Sequence, residues 1–86
     1  MRRHATPPWW DWPLELTPHI KRRMRQRRFS ETDLRSMLAT SVRLAPDAED
    51  GRFLVECRLG REHWHVVVEP DYDRCILWAI TAYRTS

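Results

Sequence analysis

Glycine is scarce in this chain: its 86 residues hold only Gly51 and Gly60. A Gly-rich loop that cradles phosphates needs several glycines close together, so that class of nucleotide site is excluded. Cysteine is equally rare, and Cys57 and Cys75 are not in a C-x-x-C pair. That removes the usual signatures of zinc and thioredoxin-like redox sites. Both cysteines fall in predicted strands and read as small buried apolar residues. No apolar run approaches the ~20 residues of a membrane span. Met1-Arg2-Arg3-His4-Ala5 is basic with no apolar stretch behind it, so no secretory signal and no membrane partner are expected, and a cytoplasmic location is. A Ser/His/Asp or Cys/His nucleophile arrangement has no signature either.

Charge is present in quantity and unevenly placed. The formal net charge is +3. Residues 1–30 carry eight Arg or Lys against two acids, whereas residues 31–86 carry seven against ten. Such polarity points the first half of the chain towards a polyanion or an acidic partner.

The length suits one domain with one modest core. Residues 1–13 read as an irregular Pro/Trp-rich lead, because Pro7-Pro8 opposes regular structure. Trp9, Trp10 and Trp12 would be an aggregation hazard if exposed, so they either pack across the domain or anchor a partner. Residues 14–86 read as a single α+β domain. Thr17 can cap a helix whose first residue is Pro18 and which runs to about Arg28. Ser30 caps a second helix, with Asp33 completing the capping box and Phe29 and Leu34 spaced as a hydrophobic staple. Four strand candidates follow, at residues 41–45, 52–59, 62–69 and 75–83. Gly60-Arg61 makes a two-residue hairpin turn between the second and third.

Alternation assigns the strand faces. Phe53, Val55, Cys57 and Leu59 share one face with Trp64, Val66 and Val68, and with Ile76, Trp78, Ile80 and Ala82. The opposite face is mixed, gathering Glu56, Arg58, His63, His65, Thr81 and Tyr83, with Cys75, Leu77 and Ala79 beside them. The expected architecture is two N-terminal helices packed on one face of a four-stranded, mainly antiparallel sheet.

Six of residues 21–28 are basic: Lys21, Arg22, Arg23, Arg25, Arg27 and Arg28. Leu16, Ile20 and Met24 form the apolar stripe of the first helix. His19, Arg23 and Arg27 follow one another at i, i+4 and i+8 beside that stripe. They are expected at the border of core and solvent. An Arg held there needs an anion, either a carboxylate of the chain such as Glu56 or Asp33, or a bound phosphate. Lys21, Arg22, Arg25 and Arg28 read as a solvated basic face suited to nucleic acid.

The run Thr17-Pro18-His19, Arg23-Met24, Arg27 and Phe29-Ser30 resembles the His-x-x-x-Arg-Met-x-x-Arg-x-(Ile/Phe)-Ser signature of the bacterial domain of unknown function 4258. The elements His65-Val66-Val67-Val68-Glu69-Pro70 and Ala79-Ile80-Thr81-Ala82-Tyr83 match its hairpin and closing strand. The resemblance covers about residues 14–84. That family looks similar to the RelE/ParE/BrnT-like toxin group, whose fold also serves metal-independent ribonucleases. The resemblance implies a RelE/BrnT-like fold and a toxin-type role, with His19, Arg23, Arg27, Thr81 and Tyr83 as the matching positions.

Ribonuclease chemistry through the 2′-hydroxyl needs a proton acceptor, a proton donor and a cation for the developing phosphorane charge. The expected catalytic set is His19, Arg23, Arg27, Arg58, His65, Thr81 and Tyr83, with no cofactor and no metal. His63-x-His65 puts two imidazoles on one strand face, but a third metal ligand such as Glu56 would have to come from another strand, and no second ligand motif exists. The expected partners are RNA or an acidic antitoxin-like protein. The alternative is a binding module without chemistry, holding nucleic acid or a protein through the basic helix.

Overall fold

Thr17 marks the point where extended chain becomes helix. In the computed structural model, which describes residues 7–85, its side chain accepts a hydrogen bond from the Ile20 N–H at 3.2 Å. The same hydroxyl lies 3.2 Å from the Ala79 carbonyl and 3.0 Å from the Ile80 carbonyl. Among the described residues the elements are a 3-10 helix (Pro8–Asp11), β1 (Leu14–Leu16), α1 (Pro18–Arg27), α2 (Glu31–Ala39), β2 (Arg43–Pro46), β3 (Phe53–Leu59), β4 (Glu62–Asp71) and β5 (Ile76–Arg84). No helix among them is long and apolar enough to cross a membrane.

The expected α+β class and the two helices are present. The α1 cap at Thr17 with Pro18 behind it, and the reciprocal Ser30/Asp33 capping box of α2, form as the sequence implies. α1 ends with Arg28 in the left-handed region, at φ 58°. The sheet, however, has five strands in the order β1-β5-β4-β3-β2 and is mixed. The extra strand is β1, which pairs in parallel with β5 through Leu14↔Leu77, Glu15↔Trp78 and Leu16↔Ala79. It is three residues long, too short to show a period in sequence.

The closing strand departs most from simple alternation. β4 and β5 change register between Val67 and Val68: Val67 faces Thr81 but Val68 faces Ala79, so Ile80 is the extra residue of a β-bulge. Before the bulge Leu77 and Ala79 point into the core, and after it Ala82 does. Ile76 and Trp78 therefore stand on the opposite face, contrary to the expectation, and Leu77 and Ala79 leave it. Thr81 and Tyr83 remain where they were expected. Pro70 belongs to β4 rather than to the turn. It lies past Val68, the partner of the first β3 residue, so its missing N–H costs no ladder bond. Cys75 is not a buried strand residue but an exposed turn residue at φ 53°.

The core lies between the helices and one face of the sheet. Ile20, Leu34, Met37, Val55, Val66, Val68, Ala79 and Ala82 are fully enclosed, and Phe29 packs edge-on against Trp64 with ring centroids 5.1 Å apart. Of the lead expected to be irregular, Pro8–Asp11 form a short helix packed on this core; residues 1–6 lie outside the described residues. Pro8 fits the first turn of a short helix because its missing N–H is not needed there. That helix drives Trp9 against Phe53 with centroids 5.0 Å apart, leaving Trp9 2% exposed. Trp12 meets Tyr72 edge-on. Trp9→Ala is expected to cost about 3–5 kcal/mol in urea denaturation, the usual loss for emptying a large aromatic site. A loss under about 1 kcal/mol would place this segment outside the cooperative unit.

Candidate functional site

The helices cover one face of the sheet, so the groups on the other face are the ones a large ligand can reach. The hairpin fixes their register. The Gly60-Arg61 turn pairs Leu59 with Glu62, and counting outward pairs Arg58 with His63 and Glu56 with His65. The Glu56 carbonyl accepts from the Val42 N–H at 2.8 Å and so points towards β2. Glu56 and His65 are then a pair without mutual backbone bonds, the closer kind, with Cα atoms about 4.5 Å apart. On the far side His65 faces Tyr83, and on the near side Glu56 faces Arg43.

The result is a row across four strands: Arg43, Glu56, His65 and Tyr83. His65 Nδ1 and the Tyr83 hydroxyl are 3.4 Å apart, with the two rings edge-on. The phenol thus orients the imidazole, and which atom carries the proton depends on the tautomer. Arg43 Nε lies 3.6 Å from the Glu56 carboxylate, both groups being substantially exposed. Such a pair is weakly held and leaves Glu56 able to accept a proton from elsewhere. His63 and the exposed Arg58 form the next row. A shallow cavity of about 140 Å³ is lined by Val42, Glu56, Cys57, His63, Trp64, His65 and Thr85. Among the described residues no three His, Cys, Asp or Glu side chains come together as a metal-binding group.

On the helix side of the sheet, the hairpin end is fixed by Glu62. Its carboxylate accepts from Arg84 at 2.7 Å and from the Trp64 indole at 3.1 Å, joining the start of β4 to the end of β5. Cys57 beneath is buried, and burial pushes its thiol up to about 12. It is therefore a protonated packing group and not a nucleophile.

The expected site residues fall on two layers. Arg58, His65, Thr81 and Tyr83 share the open face of the sheet. His19, Arg23 and Arg27 belong to α1, which packs over the opposite face, and no hydrogen bond or ion pair joins the two groups among the described residues. His19 and Arg27 are exposed and Arg23 is half-buried. The carboxylates considered for them are engaged elsewhere: Glu56 beside Arg43, and Asp33 accepting from the Ser30 N–H at 2.9 Å. Lys21, Arg22, Arg25 and Arg28 are exposed, as a basic solvent face requires. Arg43 and Glu56 were not among the expected catalytic residues, although the two-residue turn made the Glu56–His65 pairing readable from sequence.

These features define a small α+β domain with helices on one face of a mixed sheet and a row of acid–base side chains on the other. A model of the family described as Domain of unknown function (DUF4258) matches residues 16–84, and the chain belongs to that family. Neither the curated proteins nor the solved structures compared with the chain include a match.

The Glu62 bracket has a pH signature. Hydrogen bonds from Arg84, then from Trp64, hold its carboxyl below the usual value. Its folded pKa is depressed, so its stabilisation is full above the ordinary Glu value of about 4.3 and fades as pH falls through the lower folded value. Urea denaturation of wild type and Glu62→Gln should show stabilities that converge over that acid range. Parallel curves would mean that the bracket contributes nothing pH-dependent.

Proposed function

We propose that the chain is a RelE/BrnT-like, toxin-type metal-independent endoribonuclease whose reactive groups stand on the open face of the sheet. The observation that carries this reading is the cross-strand row of guanidinium, carboxylate, imidazole and phenol: Arg43, Glu56, His65 and Tyr83. In the proposed step Glu56 takes the proton of the ribose 2′-hydroxyl. The 2′-oxygen forms a bond to phosphorus, and the bond from phosphorus to the 5′-oxygen breaks. His65 in its protonated form delivers its proton to that leaving oxygen, giving a 2′,3′-cyclic phosphate and a free 5′-hydroxyl. Tyr83 sets the imidazole plane. Arg58, with Arg43, offsets the charge that builds on the non-bridging oxygens, and Thr81 on the same face supplies a hydroxyl towards the substrate. Lys21, Arg22, Arg25 and Arg28 gather the RNA backbone electrostatically.

The test is incubation of purified protein with RNA in EDTA, with the products resolved by length and end chemistry. Fragments ending in cyclic phosphate are expected. His65→Ala and Glu56→Gln should each lower the rate by about 10²–10⁴-fold, the usual worth of a positioned acid or base, with folding unchanged by circular dichroism. Intact RNA at high wild-type concentration, or full activity in both variants, defeats the reading. The uncompensated charge of α1 favours a second reading, a non-catalytic module that binds nucleic acid or an acidic antitoxin-like protein. It gives salt-sensitive binding without turnover.

A further inference from the structure

The ion pairs among the described residues are Arg35–Glu31, Arg43–Glu56, Arg52–Glu69 and Arg84–Glu62. None includes a residue of α1, the most basic element of the chain. Within α1 one cation differs from the rest. Arg22, Arg25 and Arg27 are exposed, whereas Arg23 is half-buried, and its Nε is buried with no hydrogen-bond partner. A guanidinium N–H withdrawn from water and given no acceptor is costly, and buried polar groups in folded proteins almost always have partners.

The position of Arg23 is held from both ends. At the start of α1 the Thr17 side chain contacts the carbonyls of Ala79 and Ile80. Just past its end Phe29 packs on Trp64, whose strand partner is Arg84. α1 therefore follows the second half of β5, and Arg23 lies midway along it. β1 stops at Leu16, opposite Ala79, so that half of β5 has no strand on its outer side among the described residues. His19 and Arg27 stand one turn before and after Arg23 on the same side of the helix.

We propose that Arg23, with His19 and Arg27, forms a discrete phosphate-binding site at the seam between α1 and β5. The class of ligand follows from the chemistry: an acceptor must reach a buried guanidinium N–H, and two further donors on the same row favour several oxygens and negative charge. The site is separate from the strand-borne row and stands or falls independently of RNA cleavage.

The test uses the full chain in thermal unfolding, with inorganic phosphate compared against chloride at equal ionic strength. Phosphate at ten times its dissociation constant should raise the midpoint by roughly 5 °C or more. Arg23→Met should abolish the rise while unfolding no earlier than wild type in chloride, because the orphan N–H is gone. The triple variant Arg22→Gln/Arg25→Gln/Arg28→Gln should keep the rise. If Arg23→Met does not fold, His19→Gln/Arg27→Gln should weaken phosphate binding about tenfold, and the Arg23 Nε–Hε NMR resonance of wild type should move on titration. A DNA oligonucleotide, which lacks the 2′-hydroxyl, separates the sources. Competition with phosphate for that resonance marks a nucleic-acid backbone, and no competition marks free phosphate or a monoester. Equal midpoints in phosphate and chloride, or loss of the rise in the triple variant, would overturn the proposal.

Discussion

The arrangement depends on one corner, where Thr17 meets the bulge in β5. Thr17 gives its N–H to the Ala79 carbonyl at 3.3 Å, and its hydroxyl also lies within reach of Ile80, the bulged residue. The same hydroxyl accepts the Ile20 N–H in the first turn of α1. A single residue thus ends the parallel strand, starts the helix and secures the irregular point of the sheet. If β5 ran through Ile80 as a regular strand, strict alternation would carry Thr81 and Tyr83 to the face of Leu77 and Ala79, under the helices. The bulge reverses that parity, sends the small Ala82 into the core and brings Tyr83 beside His65.

A sheet with one covered face divides the chemistry of this chain into two environments. On the open face, acids and bases alternate across neighbouring strands: Arg43 beside Glu56 and Arg52 with Glu69. These are exposed or half-exposed pairs, each worth about 0–1 kcal/mol, so their value lies in orientation more than in stability. On the helix side, charge is unbalanced, and α1 carries cations with no carboxylate drawn to it. Stability must therefore come mainly from the apolar layer between. A domain of this size has little of that to spare, which is why the contact of Trp9 with Phe53 matters.

Much of this was legible in the sequence because it is local. The Thr17/Pro18 and Ser30/Asp33 caps depend on neighbours within one turn. The 60–61 hairpin needed only Gly60, whose φ is 61°, and β3 alternates cleanly over its length. What the sequence hid is non-local. β1 has no period because three residues cannot show one, and its partner lies at the far end of the chain. The bulge leaves no composition signal at Ile80, so the faces of Ile76, Trp78, Leu77 and Ala79 were exchanged. Cys75 looked like a strand residue, although it takes a turn conformation with positive φ. The importance of Glu56 was readable from the hairpin register, but a lone Glu in an apolar strand carries no motif to mark it.

A domain of this length has a net stability of about 4–13 kcal/mol, and a buried unsatisfied N–H removes about 1–3 kcal/mol of it. Methionine would occupy the same helical position with comparable length, equal helix propensity and no orphan donor. Folding alone therefore gives no reason for arginine at 23. The charge is also not absorbed by rearranging neighbours, because Glu31, Asp33 and Glu56 each have another partner. A group that costs stability and finds no internal acceptor makes physical sense where an anion arrives from outside to supply one. The fixed seam between α1 and the unflanked half of β5 is the place that keeps it waiting in position.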